Sequence, residues 1–327
     1  MHDLVDTMPP MVNRILLASP RGYCAGVERA VETVERALDL YGAPVFVRKQ
    51  IVHNLHVVRE LEARGAIFVE SEEDVPVGAN VVFSAHGVAP SVHANATARK
   101  LRTIDATCPL VTKVHVQARR YAAEGYTIVL IGHAGHEEVV GTMGEAPDSI
   151  VLVESVEDVE RLELDATKLA YITQTTLSVD ETGDIITALR RRFPSIYAPK
   201  KEDICYATSN RQWAVKELLP EIDLLLVIGS RNSSNSNRLV ETARSAGVPA
   251  HLLDDETEID EAWLEGVASV GLTSGASAPE KLVGRVCDWF RARGVTRIEP
   301  FQLVTEDVEF RLPVELRREL ALAESQS

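Results

Sequence analysis

The chain has 327 residues, 45% of them hydrophobic and 25% charged, with a net charge of −15 at pH 7. Those values predict a globular protein of two domains, or three small ones, and exclude a disordered chain. An acidic balance without clustered Lys and Arg excludes a nucleic-acid or anionic-membrane surface, so an anionic ligand needs local donors. The longest apolar runs, such as LLLVI at 224–228, are too short to span a membrane. MHDLVDTMPP lacks the basic start and apolar stretch of a signal peptide, and the chain reads as cytoplasmic.

In chain order, RILLAS (14–19) reads as a strand that gives way, through a turn with Cys24 between two glycines, to the helical pattern VERAVETVERAL. Further strand-like runs are TIVLIG (127–132), LLLVIG (224–229) and SVGLTS (269–274), each followed by an amphipathic helix pattern. This alternation predicts an α/β fold with parallel sheets. The tail from about 299 reads as an extension. Cys287, in EKLVGRVCDWF, sits in a helix interior and reads as a small apolar residue.

The other three cysteines open three similar units. Cys24 is followed 29 residues later by His53 in KQIVHN, Cys108 is followed 28 later by His136 in GHAGHEE, and Cys205 is followed 28 later by Ser233 in GSRNSSN. A second polar cluster then ends a strand in each unit: FSAHG with His86, ITQTT with Thr175, and LTSGAS with Gly275, at 62, 67 and 70 residues past the cysteine. The boundaries that follow are 14–107, 108–203 and 204–298, with a tail at 299–327. In parallel sheets ligands bind outside the carboxyl ends of the strands, so each unit offers one cysteine and two polar turns to the same kind of edge.

Each of Cys24, Cys108 and Cys205 precedes a helical pattern, whose first-turn amides are expected to lower the thiol pKa and favour the metal-binding thiolate. No C-x-x-C pair occurs, which argues against a structural zinc site without removing zinc as an alternative. An iron–sulfur cluster spans a wider gap, and three thiolates leave one iron open to a substrate oxygen. NSSNSN, with Ser233, Ser234 and Asn235, is rich in donors at a helix start. It suits an anion or, alternatively, simple helix capping.

The strings PRGYCAGVERA, QIVHN, FSAHGV, IDATCPLVTKVH, GHEEVVGTMGE, TQTTLSVDET, DICYATSNRQ, GSRNSSNSNRL and TSGASAPE occur in order from about Arg14 to the tail. In these strings the chain resembles the 4-hydroxy-3-methylbut-2-enyl diphosphate reductase family of the non-mevalonate isoprenoid pathway. The resemblance implies three α/β lobes around a central [4Fe-4S] cluster, and reductive removal of the substrate 4-hydroxyl to give isopentenyl and dimethylallyl diphosphate. Carried over to matching positions, it implies that Cys24, Cys108 and Cys205 are cluster ligands. It implies that His53, His86, His136, Ser233, Ser234, Asn235 and Ser277 bind the diphosphate. Glu138 and Thr175 match the proton-relay glutamate and the threonine that orients the substrate hydroxyl. The family commonly has a proline or small residue where Glu137 stands, so two adjacent carboxylates compete here, and spacing favours Glu138.

No G-x-G-x-x-G follows a strand, so a bound nicotinamide is not expected. Electrons then come from an external carrier, by resemblance a ferredoxin or flavodoxin. A zinc-dependent phosphoester hydrolase and a non-catalytic sensor of a phosphorylated ligand are the alternative readings.

Overall fold

Short apolar runs bounded by Gly and polar residues form the strands. In the computed structural model, which describes residues 12–325, these are β1 (Arg14–Ser19), β2 (Val45–Arg48), β3 (Ala66–Val69), β4 (Asn80–Phe83), β5 (Arg102–Asp105), β6 (Thr127–Ile131), β7 (Ile150–Val153), β8 (Leu169–Thr173), β9 (Leu224–Ile228), β10 (Ala250–Leu253), β11 (Ser269–Ser274) and β12 (Arg297–Gln302). They pair in parallel in three sheets, ordered β10-β9-β11-β1-β12, β3-β2-β4-β5 and β7-β6-β8. Strands β9 and β11 are buried at every position, as a parallel sheet covered on both faces requires. The chain is therefore an α/β protein with three parallel-sheet lobes.

The described residues divide into two compact units. One comprises the residues up to Tyr23 together with Ser209–Asp307 and holds the five-stranded sheet. The other comprises Cys24–Thr208 and the residues from Val308, and holds the other two sheets.

The lobe boundaries differ from those read in the sequence. Strand β1 pairs with β11 and β12, so it lies in the sheet of the third repeat, and β12 extends that sheet into the segment read as tail. The cysteines stand at seams. Cys24 follows β1, yet its helix Ala25–Tyr41 packs on β2. Cys108 follows β5, and its helix Pro109–Ala123 packs on β6 and β8. Cys205 follows a segment whose Tyr197 bridges to β8, while Ala214, Val215 and Leu218 of the helix Tyr206–Leu218 join the core of β1 and β9. Each helix covers the next sheet because its apolar stripe needs a fresh sheet face to bury. The C-terminal helix Val314–Glu324 lies on Ala25–Tyr41, with Leu316 fully buried and the Tyr41 hydroxyl donating to Glu319 at 2.8 Å. Cys287 is buried in the core under the five-stranded sheet, as a small apolar residue.

In the first unit the turn before Cys24 is fixed from within. The Gly22 amide donates to Ser274 Oγ at 2.8 Å, and its carbonyl accepts from Arg211 Nη2 at 2.8 Å. Arg211 is fully buried, and its Nη1 reaches both Glu306 oxygens at 3.2 Å. A buried pair is costly to break because the remaining charge stays buried alone. Arg211→Met is expected to lose about 3–5 kcal/mol of stability in urea unfolding, and a loss of less than ~1 kcal/mol would show that the pair contributes no more than a surface one.

Candidate functional site

In the larger unit, polar residues follow the carboxyl ends of the strands, and backbone bonds carry the alignment beyond the sheets. The Ala85 amide donates to the Ile51 carbonyl at 3.1 Å, and the Cys108 amide to the Ala85 carbonyl at 3.0 Å. The turns bearing His53, His86 and Cys108 are thereby held side by side. In the three-stranded lobe, Gln174 N bonds Ile131 O at 2.8 Å and Cys205 N bonds Thr175 O at 3.0 Å.

Cys24 and Cys108 are the N-cap residues of their helices, and Cys205 immediately precedes its own. A Cβ on Gly26 would lie 2.6 Å from Cys108 Sγ and 3.9 Å from Cys24 Sγ, so glycine is required for the two sulfurs to share this space. Burial, and then repulsion from Cys24, pushes the Cys108 thiol up to about 12 and the Cys205 thiol up to about 11. The first-turn amides of Leu110 and Val111 do pull Cys108 down, but they are outweighed, which for Cys108 and Cys205 corrects the expectation of thiols held low by their helices. The thiols feel one another's charge, yet among the described residues no three His, Cys, Asp or Glu side chains converge to hold a single metal ion. Three soft sulfur donors that act on one another suit an iron–sulfur group, whose irons take cysteine sulfur.

Beside them stands a histidine cluster. His53 and His86 stack with ring centroids 4.0 Å apart, and His136 meets them edge-on at 5.5 and 5.9 Å. Burial lowers His53 and His136 to about 4 and His86 well below its ordinary value. All three are therefore neutral at pH 7. His136 caps the helix Glu137–Gly144 by accepting from the Glu138 amide at Nδ1, at 3.2 Å, which leaves Nε2–H as its donor. Gly141 and Gly144 let this helix lie directly on the backbone that follows His86. A Cβ at Gly141 would meet the Gly87 carbonyl oxygen at 3.3 Å, and one at Gly144 would meet Ala89 Cβ at 2.3 Å.

The two adjacent carboxylates have different surroundings. Glu137 is partly exposed and pairs with Lys49 Nζ at 3.6 Å. Glu138 is buried; Oε1 accepts from the Thr175 amide at 2.6 Å, and Oε2 lies 3.0 Å from Thr175 Oγ1. Burial raises Glu138 to about 7 despite both Thr175 bonds, and the Asp203 charge adds to the rise. Asp203 escaped the reading of the sequence. It is buried, bonded to Lys113 Nζ at 3.0 Å and to the Thr173 amide at 3.2 Å, and its only outward signal is an acidic residue two places before a cysteine.

The remaining candidates lie in the other unit. Ser233 caps the helix Ser234–Ser245 by accepting from the Ser236 amide, and its Oγ is 3.4 Å from Ser277 Oγ. Asn235 Oδ1 accepts from the Ala276 amide at 2.9 Å. Ser236 was not singled out in the sequence; Cβ atoms on Gly229 and Gly275 would meet its Oγ at 2.1 and 2.0 Å, so both glycines make room for this turn. Capping and a donor-rich helix start are thus realised by the same residues.

Over residues 15–291 the chain matches the family described as LytB protein. It is 61% identical over 315 residues to the 4-hydroxy-3-methylbut-2-enyl diphosphate reductase of Acidothermus cellulolyticus, covering 95% of this chain and 93% of that one. Identity is 59% over 309 residues to the enzyme of the same name from Streptomyces avermitilis, with 94% and 91% covered. Among solved structures, the E-1-hydroxy-2-methyl-but-2-enyl-4-diphosphate reductase from Plasmodium falciparum matches with a TM-score of 0.92 at 40% identity, covering 97% of this chain and 99% of that one.

The buried carboxyl has a signature in stability. Glu138 titrates at about 7 in the fold against an ordinary 4.5, so its burial costs nothing below the lower value and progressively more as pH rises to the upper one. Glu138→Gln is therefore expected to match the parent near pH 4 and to be more stable near pH 8 by about 1–3 kcal/mol. Thermal melts across that range check this, and a gain independent of pH would contradict it.

Proposed function

The chain belongs to the LytB family, and on that premise we propose that it reductively removes the 4-hydroxyl of (E)-4-hydroxy-3-methylbut-2-enyl diphosphate, giving isopentenyl and dimethylallyl diphosphate. Cys24, Cys108 and Cys205 would hold a [4Fe-4S] cluster. When bound, such a cluster supplies electrons and a Lewis-acidic iron that three cysteines leave without a protein ligand. The observation that carries this reading is the Glu138–Thr175 pair, bonded through the Thr175 carbonyl to the amide of Cys205.

Loss of an allylic hydroxyl is slow unless a proton arrives at the oxygen. Glu138, raised to about 7 by burial, retains a proton through much of the neutral range. The Thr175 hydroxyl, 3.0 Å from Oε2, orients the substrate oxygen and relays that proton to it. The diphosphate is assigned to His53, His86 and His136, and to Ser233, Ser234, Asn235 and Ser277. The neutral histidines offer N–H donors, and an arriving anion favours their protonation. Hydroxyl, amide and imidazole donors of this kind suit an acidic chain that lacks a basic patch. The reduction consumes two electrons and two protons for each water lost, and the electrons are assigned to an external ferredoxin or flavodoxin.

Protein purified without oxygen is expected to be brown, with about four irons per chain. One zinc and no colour would support the hydrolase instead. Serine at Cys24, Cys108 or Cys205 should strip the iron and serine at Cys287 should not, as iron analysis will read. Glu138→Gln should keep the cluster and diphosphate binding while turnover with an artificial donor falls by about 10²- to 10⁴-fold. Glu137→Gln should be far milder, and the opposite ranking would move the proton to Glu137. Alanine at Ser234 or Asn235 should weaken binding of the diphosphate product, by calorimetry, by about 1–3 kcal/mol each. Unchanged affinity in both would leave the segment as a helix cap.

A further inference from the structure

Arg29 stands five residues after Cys24 on the same helix. Among the described residues its guanidinium bonds backbone carbonyls alone: Nη1 donates to Thr107 at 3.0 Å, Nη2 to Asp105 at 3.4 Å and Nε to Arg311 at 2.7 Å. Thr107 immediately precedes Cys108. Asp105 and Thr107 are already braced against each other, since Asp105 Oδ1 accepts from both the amide and the hydroxyl of Thr107, at 2.9 and 2.5 Å. The far side of the same turn is pinned by the Cys108 amide on Ala85. Arg29 thus holds the turn that delivers Cys108 from the helix that begins at Cys24. Between the two lies Gly26, with no space for a methyl group.

The charge matters as well as the fork. Arg29 is partly buried, and among the described residues no carboxylate bonds it, although Asp105 and Glu315 are close enough to act on it. The Cys108 sulfur also lies within reach of its field. A planar guanidinium can bond several carbonyls in fixed directions, which a lysine ammonium cannot reproduce.

We propose that Arg29 is a positioning residue for the metal centre, fixing the Cys108 turn against the Cys24 helix and bringing a positive charge to the turn that bears Cys108. The carbonyl of Arg311 is its third point of attachment, so the C-terminal segment becomes part of the wall behind two ligands. The proposal rests on the reading that the three cysteines hold an iron–sulfur cluster. It predicts that fork and charge are separable: the fork governs how firmly the cluster is held, and the charge governs how readily it is reduced.

The test uses the full chain, loaded with iron and sulfide without oxygen, as the parent, Arg29→Lys and Arg29→Gln. Three quantities are measured: the rate of iron loss to a chelator, the reduction potential by optical titration, and the melting temperature of the metal-free chain. Both variants are expected to lose iron about 10- to 100-fold faster than the parent, the usual effect of losing a residue that orients a ligand. Arg29→Gln is expected to shift the potential to a more negative value, because a positive charge near the centre favours the reduced form, and Arg29→Lys should restore it. Iron loss and potential at parental values in Arg29→Gln would overturn the proposal. So would iron loss that merely follows a lowered melting temperature of the metal-free chain, with no recovery of potential in Arg29→Lys. A parent that binds no iron would instead overturn the underlying reading of the cysteines.

Discussion

The site depends on a small set of amide-to-carbonyl bonds that continue the parallel ladders past the ends of their strands. The bonds Ala85 N to Ile51 O and Cys108 N to Ala85 O extend the alignment of β2, β4 and β5 into three turns that belong to no strand. The Cys205 amide repeats the pattern on Thr175. Side chains from distant parts of the sequence therefore inherit the roughly 4.8 Å spacing of neighbouring strands, without any contact between the side chains being needed to bring them together. Only then do the finer fits at Gly26 and Gly141 matter, since they decide how closely the helices that leave these turns can approach.

That geometry has an electrostatic price. Burial drives six side chains of the larger unit toward their neutral forms: Cys108, Cys205 and Glu138 upward, and His53, His86 and His136 downward. A cation bound at the thiols would draw protons from them, and an anion bound at the histidines would return protons to the imidazoles. Ion pairs sit at the margins of the site, where Lys113 meets Asp203 and Lys49 meets both Glu70 and Glu137.

Much of this was legible in the sequence because period and position carry it. Strands β1, β6, β9 and β11 coincide with apolar runs bounded by Gly or Ser, and each of Cys24, Cys108 and Cys205 falls where the chain leaves the strands of one sheet and enters a helix. What the letters could not carry is partnership. Nothing in RILLAS says that its neighbours are β11 and β12, because a strand buried on both faces reads alike in any sheet. The thiol acidities were misjudged because the first-turn amides are local and visible in the sequence, whereas burial and mutual repulsion arise only once three segments meet. Asp203, Arg29 and Arg211 act on residues far away in the chain, so no short pattern marks them.

The place of β1 has a consequence for how the protein comes to be. Arg14 and Ser269, paired in register, are 255 residues apart, and β12 on the other side of β1 comes later still. A ribosome releases the first strand long before either neighbour exists, so the strand leading to Cys24 waits unpaired through most of synthesis. The four- and three-stranded sheets draw their strands from one continuous stretch and can close early, while the five-stranded sheet must close last. Maturation is in this sense ordered by the ladder: β1, made before the other described strands, is among the last to be paired.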